Sequence, residues 1–132
     1  MPKLSVWAIR LSLIYLVAGW SVGAGLMLNR AWGWSAQLWT LLPVHAALVT
    51  FGWIFLLVIG VAYRMLPKFS AKRGRPVAAW TSVAAVNVGV WWVAAGVVFT
   101  WAVPLVAAIC WLVAALAFAW HAWPRVKPFG KG

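Results

Sequence analysis

LLPVHAALVTFGWIFLLVIGVAYRMLPKFS, residues 41–70, is the stretch on which the reading of this chain turns. Its apolar part is longer than the ~20 residues a helix needs to cross the hydrocarbon core of a bilayer. Pro43 falls in the first turn, where a missing N–H costs no helical hydrogen bond, and Pro67 follows the last apolar residues. A membrane helix is therefore expected over about residues 41–65. One ionisable residue, His45, lies about a turn inside its start. An imidazole within a membrane span is costly and tends to face a bundle interior or a ligand, which makes His45 the first candidate functional residue.

The composition supports the membrane reading. The chain has 132 residues, 67% of them hydrophobic and 8% charged, with eleven Lys or Arg and no Asp or Glu. A soluble domain of this size carries roughly a quarter charged residues. The absence of carboxylates also excludes paired-carboxylate acid–base chemistry, a Ser-His-Asp triad, a carboxylate-rich Ca²⁺ or Mg²⁺ site and an acidic proton relay. A small multidrug exporter, which needs a membrane-embedded acid, is a poor fit for the same reason. The positive charge does not indicate nucleic acid, because the basic residues stand at the ends of apolar runs, as topology signals and contacts to lipid headgroups do.

Three further spans complete an all-α, integral membrane four-helix bundle, a single transmembrane domain over residues 1–132. They are expected over about 5–28, 77–99 and 105–123. Lys3 and Arg10 ahead of Leu11 to Ala18, with small residues from Ser21 to Gly25, have the outline of a signal peptide and are read as a retained first span. Gly19 and Gly23 make a small-residue face suited to close helix packing, within the chain or between copies. Residues 29–37, NRAWGWSAQ, read as a loop, and Trp32, Trp34 and Trp39 suit a membrane interface. Residues 68–76, KFSAKRGRP, read as the polar linker, and residues 100–104 as a tight turn. Asn87, the amide of the third helix, is expected to hydrogen-bond a neighbouring helix. Cys110, the single cysteine, reads as a small buried apolar residue.

Topology follows from charge. All basic residues except Arg30 fall on one side: Lys3, Arg10, Arg64, Lys68, Lys72, Arg73, Arg75, Arg125, Lys127 and Lys131. The positive-inside rule then gives an N-in/C-in arrangement. The expected location is a bacterial-type inner, cytoplasmic membrane, crossed several times with both termini cytoplasmic. In that frame His45 lies near the outer end of helix 2 and His121 near the inner end of helix 4. At about 1.5 Å of rise per residue their levels differ by roughly 25 to 30 Å, so they cannot share a metal centre within one chain. His121, between Trp120 and Trp123, reads as an interfacial residue. His45 reads either as a core residue bonded to a carbonyl or as a ligand. For a ligand, haem iron suits a lone neutral imidazole, whereas zinc or copper needs three or four protein donors.

The run LPVHAALVTFGWIFLLVIGVAYRMLP resembles the second transmembrane helix of the catalytic subunit of haem-copper oxidases, most of all the cbb3-type and nitric-oxide-reductase branches. The matching positions are His45 near the outer surface, then Gly52 and Trp53, then Tyr63 and Pro67 before the inner loop. The resemblance covers helices 1 and 2. It implies that His45 is an axial ligand of a low-spin haem b. The family's second haem ligand, its copper ligands and its high-spin haem ligand have no counterpart in helices 3 and 4, so a complete oxidase or reductase is not expected of this chain alone.

A minimal haem unit would need a second axial arrangement. Three remain open: His45 of a second copy in a symmetric dimer, Met27 near the outer end of helix 1, or an open position that would bind a diatomic gas. Arg30 would pair with a haem propionate, and Trp53 with Phe51 would line a porphyrin. The expected function is electron transfer or gas binding by a haem b protein in the lipid bilayer, as a homo-oligomer or within a respiratory complex. The rival expectation is a small non-catalytic subunit or assembly factor of such a complex, while a standalone transporter would need a charge at mid-membrane that the helices do not supply.

Overall fold

The computed structural model describes residues 2–66, 75–99 and 104–126. Pro67, Lys68, Lys72, Arg73, Lys127, Lys131 and residues 100–103 of the expected turn lie outside them. Among the described residues four helices are long and apolar enough to cross a membrane: α1 (Lys3–Trp32), α2 (Ala36–Met65), α3 (Pro76–Val98) and α4 (Pro104–Arg125), the last ending in a 3₁₀ turn over Trp123–Arg125.

The first two helices are longer than the sequence suggested, and the loop expected over 29–37 shrinks to residues 33–35. Local hydrogen bonds explain the difference. Gly33, at φ 64°, takes the left-handed conformation that ends α1, and its N–H bonds to the Asn29 carbonyl at 2.8 Å. Glycine adopts that conformation without a Cβ clash. The buried Asn29 side chain donates to the Ser35 carbonyl at 2.8 Å and accepts from the Ser35 N–H at 2.9 Å. Ser35 Oγ in turn accepts from the Gln37 N–H at 3.2 Å, which caps the start of α2.

α2 changes its winding along its length. A 3₁₀ entry over Ala36–Leu41 gives way to α-helix over Leu42–Ala47, a π-helical stretch over Leu48–Phe55 and α-helix again over Leu56–Met65. It is the most buried of the four, with 39% of its most apolar window inside the bundle, against 17% for α4.

α1 and α2 run antiparallel and meet through small residues. A Cβ placed on Gly19 would stand 2.9 Å from Val49 Cγ2, and one on Gly52 would stand 2.8 Å from Tyr15 Cγ. The small-residue face of α1 is thus used inside the chain. α3 and α4 form a second antiparallel pair, tied at mid-length by Ser82 Oγ donating to the Ala114 carbonyl at 2.8 Å. The two pairs join through Phe51 of α2, stacked on Trp111 of α4 with centroids 3.7 Å apart, and through Tyr15 of α1, whose hydroxyl donates to Asn87 Oδ1 of α3. Asn87 also donates to the Val83 carbonyl at 2.8 Å. Around these contacts Leu4, Ala8, Leu56, Ile59, Val86 and Val90 build the core. The outward faces are apolar as well, with Trp7, Trp20, Val17, Leu112 and Leu116 largely exposed, as helices surrounded by lipid rather than water would be.

Candidate functional site

His45 sits on the short α-helical turn between the 3₁₀ entry and the π-helical stretch of α2, half-buried against α1. Gly23 is what lets it lie there: a Cβ on that residue would stand 2.6 Å from His45 Cε1. The ring Nδ1 is 2.7 Å from the Gly19 carbonyl oxygen. A carbonyl only accepts, so Nδ1 carries a proton, and in the neutral imidazole tautomer this selects, the lone pair is on Nε2. Nε2 has no hydrogen-bond partner among the described residues. This is the arrangement in which a histidine is oriented by one nitrogen and left to ligate with the other.

Beside it is a groove of about 360 Å³ lined by Trp20, Gly23, Ala24, Leu26, Met27, Trp39, Leu42 and His45. The lining is apolar apart from the imidazole and the thioether. The structure therefore brings His45 and Met27 to one groove. Arg30, exposed in the last turn of α1, and Trp53, half-buried in the π-helical stretch, are not among the residues lining it. Phe51 is engaged with Trp111 instead. Among the described residues no group of three His, Cys, Asp or Glu could hold a bare metal ion. A porphyrin supplies its own equatorial nitrogens, so one imidazole, with or without a thioether, fits the donor set it requires.

The second histidine stands at the other end of the bundle, in a different setting. His121 is 1% exposed, packed inside the end of the bundle. Its Nε2 lies 2.8 Å from Arg125 Nη1, and its Nδ1 lies 2.9 Å from the Arg75 carbonyl. A guanidinium can only donate, so Nε2 accepts and Nδ1–H donates to the carbonyl. The ring stacks on Tyr63 with centroids 5.0 Å apart. Arg125, itself 5% exposed, also donates from Nη2 to the Leu66 carbonyl. The ends of α2, α3 and α4 are thereby tied by one histidine and one arginine. Nothing in the sequence spacing signals this, because Leu66, Arg75 and Arg125 meet only after the helices pack. Cys110 is half-buried on α4, and neither it nor Asn87 joins either histidine.

Neither a protein-family model, nor a curated protein, nor a solved structure matches this chain.

Proposed function

We propose that the chain is a multi-pass membrane protein that binds haem b through His45 Nε2, for electron transfer or for binding a diatomic gas. The observation that carries this reading is the bond from His45 Nδ1–H to the Gly19 carbonyl, which in the neutral imidazole reserves the Nε2 lone pair for a ligand beside an apolar groove. Haem bound there would supply one-electron redox chemistry or a coordination position for a gas. The chain's own part is to fix the imidazole tautomer, to present Met27 from α1 as a second donor lining the same groove, and to exclude water with Trp20, Trp39, Leu26 and Leu42. Arg30, one turn beyond Met27, supplies the positive charge at the same end for a propionate. Trp53 lies about two turns along α2 from His45, where it would meet only the far edge of a macrocycle. The one-sided distribution of basic residues supports an orientation with this end of the bundle on the outer side of the membrane and both termini inside. The haem-copper oxidase resemblance of residues 42–67 supports the same ligand.

Absorption spectra of the purified protein, oxidised and after dithionite, test the proposal against His45→Ala. Reduced α and Soret bands that vanish in the variant are expected. Carbon monoxide then separates a six-coordinate electron carrier, unchanged, from a gas-binding site, shifted.

The rival function, a non-catalytic subunit or assembly factor of a larger respiratory complex, rests on a specific feature of the same site. The Gly19 carbonyl bond and the Gly23 cradle would by themselves make His45 a helix-packing residue. That reading predicts no chromophore after expression with ample haem.

A further inference from the structure

The His121 end of the bundle carries a second surface feature. A groove of about 560 Å³ runs along α4 and is lined by Arg75, Leu116, Ala119, Trp120, Trp123 and Pro124. Its chemistry is graded with depth. Arg75, just before α3 begins, lies over Trp120, and Trp123 lines the groove near the end of α4. Leu116 lies roughly 6 Å from Trp120 and roughly 10 Å from Trp123 along the helix, at about 1.5 Å per residue. Arginine and tryptophan at the ends of apolar spans sit at headgroup depth, and leucine one to two turns inward sits among acyl chains.

Arg75 is held in place by contacts that, among the described residues, leave most of its donors unused. Its carbonyl is fixed by His121 Nδ1–H at 2.9 Å. Its guanidinium lies over the Trp120 ring, 4.3 Å from the centroid, and makes one long bond, 3.4 Å, from Nη1 to the Trp120 carbonyl. A guanidinium has five N–H donors in a planar fork that matches phosphate oxygens. The chain contains no Asp or Glu to occupy them.

We propose that this groove binds an anionic phospholipid, with the phosphate on Arg75 and an acyl chain along Trp120, Trp123, Ala119 and Leu116. Charge favours an anionic over a zwitterionic lipid. A choline or ethanolamine cation finds no Asp or Glu in the chain to pair with, and the net charge of +11 favours a lipid of net negative charge over a neutral one.

The full-length protein, stripped of lipid in detergent, is titrated with dioleoylphosphatidylglycerol or dioleoylphosphatidylcholine, and retained lipid is counted by native mass spectrometry. The wild type is expected to prefer the anionic lipid about fivefold, the effect of one well-placed basic residue near a membrane surface. Arg75→Ala, which keeps the carbonyl that His121 uses, is expected to bring the preference close to unity, and Arg75→Lys to keep part of it. Arg64→Ala removes an exposed charge at the same end of the bundle but away from the groove, and is expected to leave the preference in place. Equal retention of the two lipids by the wild type would overturn the proposal, as would equal losses in Arg64→Ala and Arg75→Ala. Displacement of the lipid by millimolar glycerol 3-phosphate would also overturn it, because the ligand would then be a soluble phosphate and the apolar groove would have no part.

Discussion

The two histidines of this chain are oriented alike and finished differently. Each directs Nδ1–H at a backbone carbonyl of another helix, Gly19 for His45 and Arg75 for His121. At His121 the second nitrogen is taken by Arg125 and the ring face by Tyr63. At His45 the second nitrogen has no hydrogen-bond partner among the described residues, and the ring borders a groove. A histidine whose two nitrogens are both engaged holds structure together. One with a single nitrogen engaged is positioned and still able to donate a lone pair.

The comparison predicts unequal costs. His121→Ala leaves Arg125 Nη1 and the Arg75 carbonyl without their partner and opens a buried space. Its cost is expected to be about 3 kcal/mol, read as a loss of unfolding free energy in detergent. Combining it with Arg125→Ala should cost clearly less than the two singles added, because the pair acts as one unit. Gly23→Ala comes next, at about 2 kcal/mol, since its Cβ would overlap the His45 ring and force it off the Gly19 carbonyl. Gly25→Ala, where nothing lies within 4 Å, is the control and should change stability by less than about 0.5 kcal/mol.

His45→Ala is expected to cost only about 1 kcal/mol, one hydrogen bond at a half-buried site, while abolishing any haem spectrum. Equal destabilisation by His45→Ala and His121→Ala would break the distinction drawn between them. The smallest effect belongs to the Tyr15–Asn87 pair, which joins the two helix pairs away from either histidine. A double-mutant cycle with Tyr15→Phe and Asn87→Leu should give a coupling near 0.6 kcal/mol, the usual size for a hydrogen bond between membrane helices.

Much of this architecture was legible from apolar run lengths. Four spans, the interior use of Asn87 and the singling out of His45 all follow from where polar atoms fall in apolar sequence. The extent of α1 and α2 did not follow. The residues from Asn29 to Ser35 look like a polar loop, yet Asn29 spends both ends of its amide on Ser35 and lets both helices run on. The π-helical winding around Gly52 was equally hidden, since nothing in LVTFGWIF distinguishes it from an α-helical run. At the site, Met27 joins His45 because α1 and α2 are antiparallel and in close contact, whereas Trp53, chosen from the family resemblance, faces elsewhere than the groove.

The sequence by itself determined that the chain is four apolar helices, that carboxylate chemistry is absent, and that one imidazole stands near the end of the second span. These are consequences of composition and of polar groups being expensive in hydrocarbon, and they need no knowledge of neighbours. Only the tertiary structure decided which nitrogen of each histidine carries its proton and what the other nitrogen meets. That depends on single carbonyls and one guanidinium contributed by other helices, brought within hydrogen-bond distance by packing rather than by position in the chain.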